Sequence, residues 1–315
     1  LGEKVTATYA LLADGRTAVI ELAAVSGLRL APPGKRRPLA ATTYGTGELI
    51  ADALRCGARR LIVGLGGSAT IDCGCGLAQA LGVRLYDADD RELGRGGGAL
   101  IKLARIDLAP LLARLLAACD VNNPLVGRRG GVRVYSKQKG ATPTMIERLE
   151  RGAANFARVV KAATGSNVSR VDGAGAAGGA GAGLMALLGA ELRPGAQLLL
   201  EALDFERRAR GAELILTGEG RIDRQTLDGK APAAVAGVAR KLGIPCVGVC
   251  GSVGPGVAGL YQAGFLAIHS ICDGPMSLAE ARRDTSRLIA ECVKNIVSLH
   301  TASRDQSSTR QAVQR

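Results

Sequence analysis

Six charged residues lie in the segment from 217 to 230, which begins Thr-Gly-Glu-Gly-Arg-Ile-Asp and ends with a Gly-Lys pair, and four of them could do chemistry. Glu219 and Asp223 are acidic, and carboxylates of this kind bind Mg²⁺ or accept a proton. Arg221 and Lys230 are basic, and such side chains neutralise the charge of a phosphate group. The segment is not a P-loop, because Arg224 stands where that motif needs its first glycine. The pattern favours phosphoryl transfer, and the alternative is a solvated turn with local ion pairs.

A glycine-rich segment at 64–70 reads Gly-Leu-Gly-Gly-Ser-Ala-Thr and lies between a predicted strand and a predicted helix. Glycines in that position let backbone N–H groups converge on an anion. The residues expected to bind a substrate or phosphate group are Gly66, Gly67, Ser68 and Thr70. The segment also matches G-x-G-x-x-A, and Asp87 follows near the position of the ribose-binding acid in dinucleotide folds. An NAD-dependent oxidoreductase using Gly64–Asp87 is therefore one alternative, and a tight turn without a ligand is another.

Two further segments offer polar groups for a ligand. Asp120 and Asn123 follow a predicted strand and supply the hard oxygen atoms that metal ions such as Mg²⁺ prefer. An Asx turn ahead of Pro124 explains the same residues without a metal. Gln138 and Lys139 lie in a basic loop that suits a carboxylate or a phosphate, and a solvated charged loop is the alternative.

Residues 173–190 carry no charge and are long enough to suggest a membrane span. Seven of these eighteen residues are glycine and seven are alanine, which gives the segment little drive to enter a bilayer. We predict instead a glycine loop that continues into a tightly packed helix. In that loop Gly178 and Gly179 form either an anion-binding backbone nest or a close packing contact.

Short apolar runs alternate with helical patterns, so the motifs above fall at the ends of predicted strands. Strands are predicted at 59–64, 83–86, 212–217, 245–250 and 265–268, and helices at 74–81, 145–163, 231–242 and 278–299. This alternation indicates an α/β fold with parallel sheets, in which ligands bind at the carboxyl ends of the strands. At about 150 residues per domain, the length of 315 residues indicates two domains.

The amino-acid composition limits the kinds of molecule that the protein is expected to bind. Only 3% of the residues are aromatic, which argues against a platform of stacked rings for nucleic acid. The net charge of +13 favours anionic partners such as phosphates, carboxylates or nucleic acid, but the basic residues are scattered and carry no nucleic-acid-binding motif. The eight cysteines match neither a zinc pattern nor a secreted disulfide framework. With no leader visible, we expect a cytoplasmic protein without nucleic-acid or membrane partners.

Six segments stand in the order and spacing typical of one enzyme family. They are residues 44–48, 64–70, 119–125, 138–141, 173–179 and 217–232. In these segments the chain resembles the bacterial glycerate kinases of the two-domain type. The resemblance implies phosphorylation of D-glycerate to 2-phosphoglycerate, with ATP and Mg²⁺ as cofactors and with glycerate and ATP as partners.

The resemblance also implies roles for the charged residues. Asp223 or Glu219 serves as the catalytic base or as a metal ligand. Lys230 and Arg221 hold the phosphate groups, and Lys139 holds the carboxylate of glycerate. These assignments combine the chemistry of each side chain with its position in the family's motifs.

The implied architecture has two parts, a flavodoxin-like parallel-sheet domain and a second, inserted mixed α/β domain. We expect the inserted domain at 1–205, the C-terminal part of the flavodoxin-like domain at 206–300 and a disordered tail at 301–315. Members of the family begin with a further segment that has no match here, so we expect the flavodoxin-like domain to lack its first strands. Exposed sheet edges then favour a homo-oligomer. A catalytically inactive relative that only binds glycerate or nucleotide is a further alternative.

Overall fold

The computed structural model describes residues 2–111 and 113–313, with side chains described as far as residue 302. The chain forms two compact units, unit 1 (residues 1–198) and unit 2 (residues 199–315). Each unit contains a parallel sheet with helices, so the predicted fold class of two α/β domains is confirmed. The predicted domain limits at 205 and 300 stay predictions.

Unit 1 is built on a five-stranded sheet and a separate two-stranded sheet. Its strands are β1 (Ala10–Leu11), β2 (Thr17–Glu21), β3 (Arg60–Gly64), β4 (Arg84–Tyr86), β5 (Arg105–Asp107), β6 (Arg114–Ala118) and β7 (Glu191–Arg193). The large sheet has the order β1-β2-β3-β6-β7, in which only the hairpin of β1 and β2 is antiparallel. Leu61, Ile62 and Val63 of β3 are all buried, because both faces of a central parallel strand are covered.

The helices of unit 1 cover this sheet. They are α1 (Ala23–Ser26), α2 (Tyr44–Arg55), α3 (Cys75–Ala80), α4 (Gly131–Ser136), α5 (Pro143–Thr164) and α6 (Ala176–Leu188). Helix α7 (Gly195–Ala202) contains the division between the units. Helix α6 is almost entirely buried, as predicted for the glycine- and alanine-rich segment. Of the helices in the described part of the chain, none has the length and hydrophobicity that crossing a bilayer requires.

Strand β4 does not join the large sheet, which removes the structural basis of the dinucleotide-binding alternative. It pairs with β5 in an antiparallel sheet of two strands. A dinucleotide-binding unit needs this strand parallel and close to β3. Asp87 instead closes an exposed turn, where its carboxylate accepts the backbone N–H groups of Asp89 and Arg91.

Unit 2 contains a three-stranded parallel sheet of order β10-β9-β8. Its strands are β8 (Ile215–Ile222), β9 (Cys246–Val253) and β10 (Ala267–Ser270), and its helices are α8 (Phe205–Ala209), α9 (Ala231–Leu242), α10 (Ala258–Ala263), α11 (Leu278–Arg283) and α12 (Thr285–Val313). The predicted helix at 231–242 is confirmed with its proline in the first turn.

The C-terminal part of the chain differs from the prediction in two ways. The helix predicted for 278–299 is broken at Asp284, where α11 ends before α12 begins. Helix α12 then continues to Val313, where a disordered tail from 301 was predicted, because each residue added to a formed helix gains one hydrogen bond. The last two residues of that predicted tail, 314 and 315, lie outside the described residues.

Candidate active site

Backbone hydrogen bonds at the two ends of the glycine-rich turn after β3 hold the turn in place. The Leu65 N–H donates to Ala118 O, and the Ala69 N–H donates to Ser26 O. At the centre, Gly67 has a φ of +73°, a conformation that favours glycine. The backbone N–H groups of Gly66, Gly67 and Ser68 donate to no residue in the described part of the chain. Three successive N–H groups are thus left for a ligand, as in anion-binding backbone nests.

Lys139 is buried against this turn, with only 3% of its surface exposed. Its ammonium group lies 2.7 Å from Ser68 Oγ and 2.8 Å from Thr70 O. Burial lowers the pKa of Lys139 to about 7, although the negative charge of Asp72 opposes the shift. The side chain therefore gains or loses its proton near neutral pH, and a bound anion favours the protonated form.

These groups line a cavity of about 200 Å³ in unit 1. Six of the predicted ligand-binding residues take part in the lining, namely Gly66, Gly67, Ser68, Asp120, Gln138 and Lys139. The volume is below the range of about 300 to 1,000 Å³ that is usual for drug-sized ligands, so the cavity suits a molecule of few atoms. A lysine and unpaired N–H groups give this small cavity the chemistry of a carboxylate or phosphate site.

The two predicted metal-binding residues of unit 1 already have hydrogen-bond partners. Asn123 donates to Arg129 O at 2.8 Å and accepts from the Tyr135 hydroxyl at 2.7 Å, so both ends of its amide are occupied. Asp120 uses one oxygen to accept the Gly195 N–H at 2.8 Å. Among residues 2–111 and 113–302, whose side chains the structure describes, no three His, Cys, Asp or Glu side chains form a group that could hold a metal ion.

The two glycines at the start of α6 are packed closely against the glycine-rich turn. Gly178 and Gly179 have φ values of +70° and +89°. A Cβ atom on Gly178 would overlap Thr70 O, and one on Gly179 would lie 2.8 Å from the Leu125 side chain. Neither glycine lines the cavity, which Ala176 and Ala177 contact instead. The geometry therefore favours a packing contact over an anion-binding nest.

A buried carboxylate that the sequence analysis overlooked organises the segment beyond the turn. Asp72 is fully buried and accepts from the Thr43 N–H at 2.7 Å, the Thr43 hydroxyl at 2.9 Å and the Thr42 hydroxyl at 3.2 Å. It also accepts the N–H groups of Gly74 and Gly76, each at 3.2 Å. Burial raises the pKa of Asp72, and these hydrogen bonds oppose the shift. Its position in a largely apolar run was the only signal in the sequence.

In unit 2 the segment predicted as a turn after residue 217 is in fact part of β8. The strand runs to Ile222, with Glu219 opposite Cys250 and Arg221 opposite Ser252 in β9. Gly218 permits this pairing, because a Cβ atom there would overlap Val249 O. Glu219 and Arg221 are two residues apart in the strand and therefore point to the same face.

The four predicted catalytic residues form two linked ion pairs. Lys230 Nζ lies 3.0 Å from Glu219 Oε2, and Arg221 Nε lies 3.1 Å from Asp223 Oδ2. Thr226, which is fully buried, connects the pairs. Its hydroxyl donates to Glu219 Oε1 at 2.6 Å and accepts the Asp223 N–H at 3.2 Å. The sequence analysis missed this threonine, whose hydroxyl gives no pattern in a sequence.

Glu219 and Arg221 also line a large cleft within unit 2, with a volume of about 1,060 Å³. This is the upper end of the size range of ligand pockets. The cleft is bordered by β8 and β9 on one side and by residues of α11 and α12 on the other. Its lining combines the charged side chains of Glu219, Arg221 and Arg282 with apolar residues of the strands and helices.

A sequence model described as the glycerate kinase family matches residues 1–301. The chain belongs to the glycerate kinase family. Its relatives in this family include a glycerate kinase of Halalkalibacterium halodurans, 46% identical over 301 residues that cover 94% of this chain and 79% of that protein. A glycerate 2-kinase of Escherichia coli is 46% identical over 303 residues, covering 95% of this chain and 80% of the relative.

A solved member of the same family has a closely similar fold. A crystal structure of a Salmonella typhimurium protein assigned as glycerate kinase 2 superposes with a TM-score of 0.85 and 41% sequence identity. The match covers 97% of this chain and 81% of that one. Together with the family match, this similarity confirms the family to which the sequence motifs pointed.

Proposed function

We propose that this protein transfers the γ-phosphoryl group of ATP to D-glycerate and forms 2-phosphoglycerate. Its membership of the glycerate kinase family supports the reaction class. The observation that carries the proposal is the small cavity of unit 1, where buried Lys139 faces a turn with unpaired N–H groups. The name of the E. coli relative, glycerate 2-kinase, supports phosphorylation of the 2-hydroxyl.

In this proposal, glycerate binds to unit 1 through its carboxylate. The carboxylate accepts the N–H groups of Gly66, Gly67 and Ser68 and pairs with the ammonium of Lys139. Charge-assisted hydrogen bonds of this kind are about twice as strong as neutral ones. Binding of an anion raises the pKa of Lys139 again, so the lysine is protonated in the complex. In the proposal, Gln138, which also lines the cavity, contacts a hydroxyl group of glycerate.

The charged residues of unit 2 act on the phosphate groups. Lys230 and Arg221 exchange their present carboxylate partners for phosphate oxygens, which neutralises the charge that moves during the transfer. Glu219 or Asp223, released from its partner, serves as the proton acceptor or as a metal ligand. The half-buried ion pairs make this exchange feasible, since the Lys230 and Glu219 side chains are 40% and 20% exposed.

Mg²⁺ is part of the proposal as the counter-ion of the ATP phosphates. Mg²⁺ commonly binds through one or two carboxylates, with water and phosphate oxygens completing its shell. Asp120 fits this requirement, because only its Oδ1 is engaged by a backbone N–H group. Asn123 offers less, because its amide oxygen already accepts the Tyr135 hydroxyl and keeps one acceptor position. When bound, the ion would neutralise negative charge on the phosphate groups of ATP.

The decisive assay measures ADP release from the purified chain with Mg²⁺-ATP, with and without D-glycerate, and identifies the product by ³¹P NMR. Lys230→Ala should lower turnover by orders of magnitude. Lys241→Ala is the matched control, because Lys241 forms a similar pair with Glu206 in the same unit. Absence of glycerate-dependent ADP from folded protein, with glycerate still bound, would favour the inactive-relative alternative.

We further propose a cytoplasmic location and a homo-oligomeric state, with no nucleic-acid or membrane partner. The eight cysteines are free thiols, as is usual in a reducing compartment. The outer strands of the two parallel sheets support self-association. Light scattering coupled to gel filtration tests the oligomer, and a mass equal to one chain would exclude it.

A further inference from the structure

Ser68 and Lys139 lie in contact, and their geometry suits a chemical role in addition to anion binding. The two side chains are 5% and 3% exposed, and their Oγ and Nζ atoms are 2.7 Å apart. They are separated by 71 residues in the sequence, so tertiary structure alone brings them together. Both residues line the small cavity of unit 1.

The surroundings of Lys139 orient its proton-accepting form. A neutral lysine amine has two N–H bonds and one lone pair. Thr70 O lies 2.8 Å from Nζ and takes one N–H bond, which leaves the lone pair free to accept the Ser68 O–H. Burial favours this neutral form by lowering the pKa of Lys139 to about 7. A base held against a serine hydroxyl and fixed by a third group is the arrangement that activates nucleophiles.

The turn that carries Ser68 also supplies backbone N–H groups that can stabilise a negative charge on a substrate oxygen. The backbone N–H groups of Gly66, Gly67 and Ser68 have no partner among the residues the structure describes. When a nucleophile attacks a carbonyl group, negative charge develops on the carbonyl oxygen. Backbone N–H groups beside the nucleophile stabilise that oxygen without any rearrangement.

We infer that Ser68 is a nucleophile activated by Lys139 and that it accepts an acyl group from small activated esters. This activity is independent of the proposed kinase reaction. Ser68 Oγ attacks the carbonyl carbon, and the Ser68 proton passes to Lys139 Nζ and from there to the leaving alkoxide or phenolate as its bond to the carbonyl carbon breaks. Water then attacks the acyl-serine, one proton of that water passes to Lys139 Nζ and on to Ser68 Oγ, and the carboxylic acid leaves while Lys139 is again neutral.

The probe is p-nitrophenyl acetate, added to the full chain at a pH above 7, where Lys139 is mostly neutral. We expect a burst of p-nitrophenolate and a gain of one acetyl group by intact-protein mass spectrometry. Peptide mapping of the wild-type chain should locate this acetyl group on Ser68, as an ester that hydroxylamine removes. This result requires no mutant and does not depend on kinase activity.

Ser68→Ala and Lys139→Arg each remove one half of the pair, and arginine keeps the positive charge without acting as a base. Ser68→Ala should abolish the burst because it removes the nucleophile, and Lys139→Arg should slow the burst by about a hundredfold, the usual contribution of a positioned base. Ser166→Ala and Lys137→Met are matched controls at exposed positions and should react like the wild type. Circular dichroism verifies that each variant is folded.

Three outcomes would overturn the inference. The first is an acetyl group on Lys139 that hydroxylamine does not remove, which would make the lysine the nucleophile. The second is a folded Lys139→Arg protein that reacts as fast as the wild type. The third is a wild-type chain in which Ser68 is acetylated no faster than the exposed Ser166.

Discussion

Replacing Asp72 with alanine removes the acceptor of five hydrogen bonds in the interior of unit 1. Two of the donors are threonine hydroxyls, which can rotate to other partners. The other three are the backbone N–H groups of Thr43, Gly74 and Gly76, which cannot. Each buried donor left without a partner costs about 1 to 3 kcal/mol, so we expect a loss of about 3 to 9 kcal/mol. That is comparable with the whole stability of a typical domain.

Asp72→Asn provides a graded comparison at the same position. If the amide oxygen takes the place of Oδ2, it keeps the hydrogen bonds of Thr42, Thr43 and Gly76. The amide nitrogen then faces the Gly74 N–H, which loses its acceptor. One orphaned donor corresponds to about 1 to 3 kcal/mol, well below the loss expected for alanine.

Urea unfolding followed by far-ultraviolet circular dichroism measures these differences. Hydrogen exchange provides a local readout, because the Gly74 amide should exchange faster in both variants, whereas the Thr43 and Gly76 amides should do so only in Asp72→Ala. Asp89→Ala is the control, since Asp89 forms an exposed pair with Arg91 that contributes at most about 1 kcal/mol. A loss below about 1 kcal/mol for Asp72→Ala would refute the reasoning, because the buried donors would then have found other partners.

Three further predictions concern the turn and the cofactor. Unfolded lysine keeps its proton up to a pKa of 10.5, whereas folded Lys139 loses it at about 7, so wild-type stability should rise with pH across that window. Urea titrations at several pH values should show a flatter profile for Lys139→Met. Gly178→Ala should destabilise the protein by about 2 to 5 kcal/mol in thermal unfolding, because a Cβ atom there meets Ile71 Cα at 2.7 Å. Gly165→Ala has a similar φ but open space, so a loss as large as that of Gly178→Ala would contradict the packing argument. Chelation of Mg²⁺ should abolish ADP formation and added Mg²⁺ should restore it, and activity that survives chelation would exclude the metal.

The predictions were most accurate where a local sequence pattern determines the secondary structure. The apolar runs predicted as strands at 59–64 and 245–250 correspond to β3 and to the buried first part of β9, and Pro232 lies in the first turn of α9, as expected from local propensity. The rule that ligands bind at the carboxyl ends of parallel strands also explains why the glycine-rich turn after β3 borders a cavity.

The predictions were wrong where the secondary structure depends on pairing between strands that are distant in the sequence. Residues 217–222 contain two glycines and resemble a turn, yet pairing with β9 extends them as a strand. Strand β4 resembles the second strand of a parallel unit, yet it pairs with β5. The stability of a β-strand depends on the strand with which it pairs, and the local sequence does not reveal which strand that is.

The order of glycines, charged residues and apolar runs was enough to establish the α/β class, the enzyme family and the segments that carry ligand-binding groups. Those properties depend on periodicity and spacing, which are local. The tertiary structure decided that Lys139 lies against Ser68, that Thr226 links two ion pairs and that Asp72 anchors Thr43 and Gly76. These contacts join residues distant in sequence or depend on burial, and burial is what shifts a pKa and makes an unpaired donor costly.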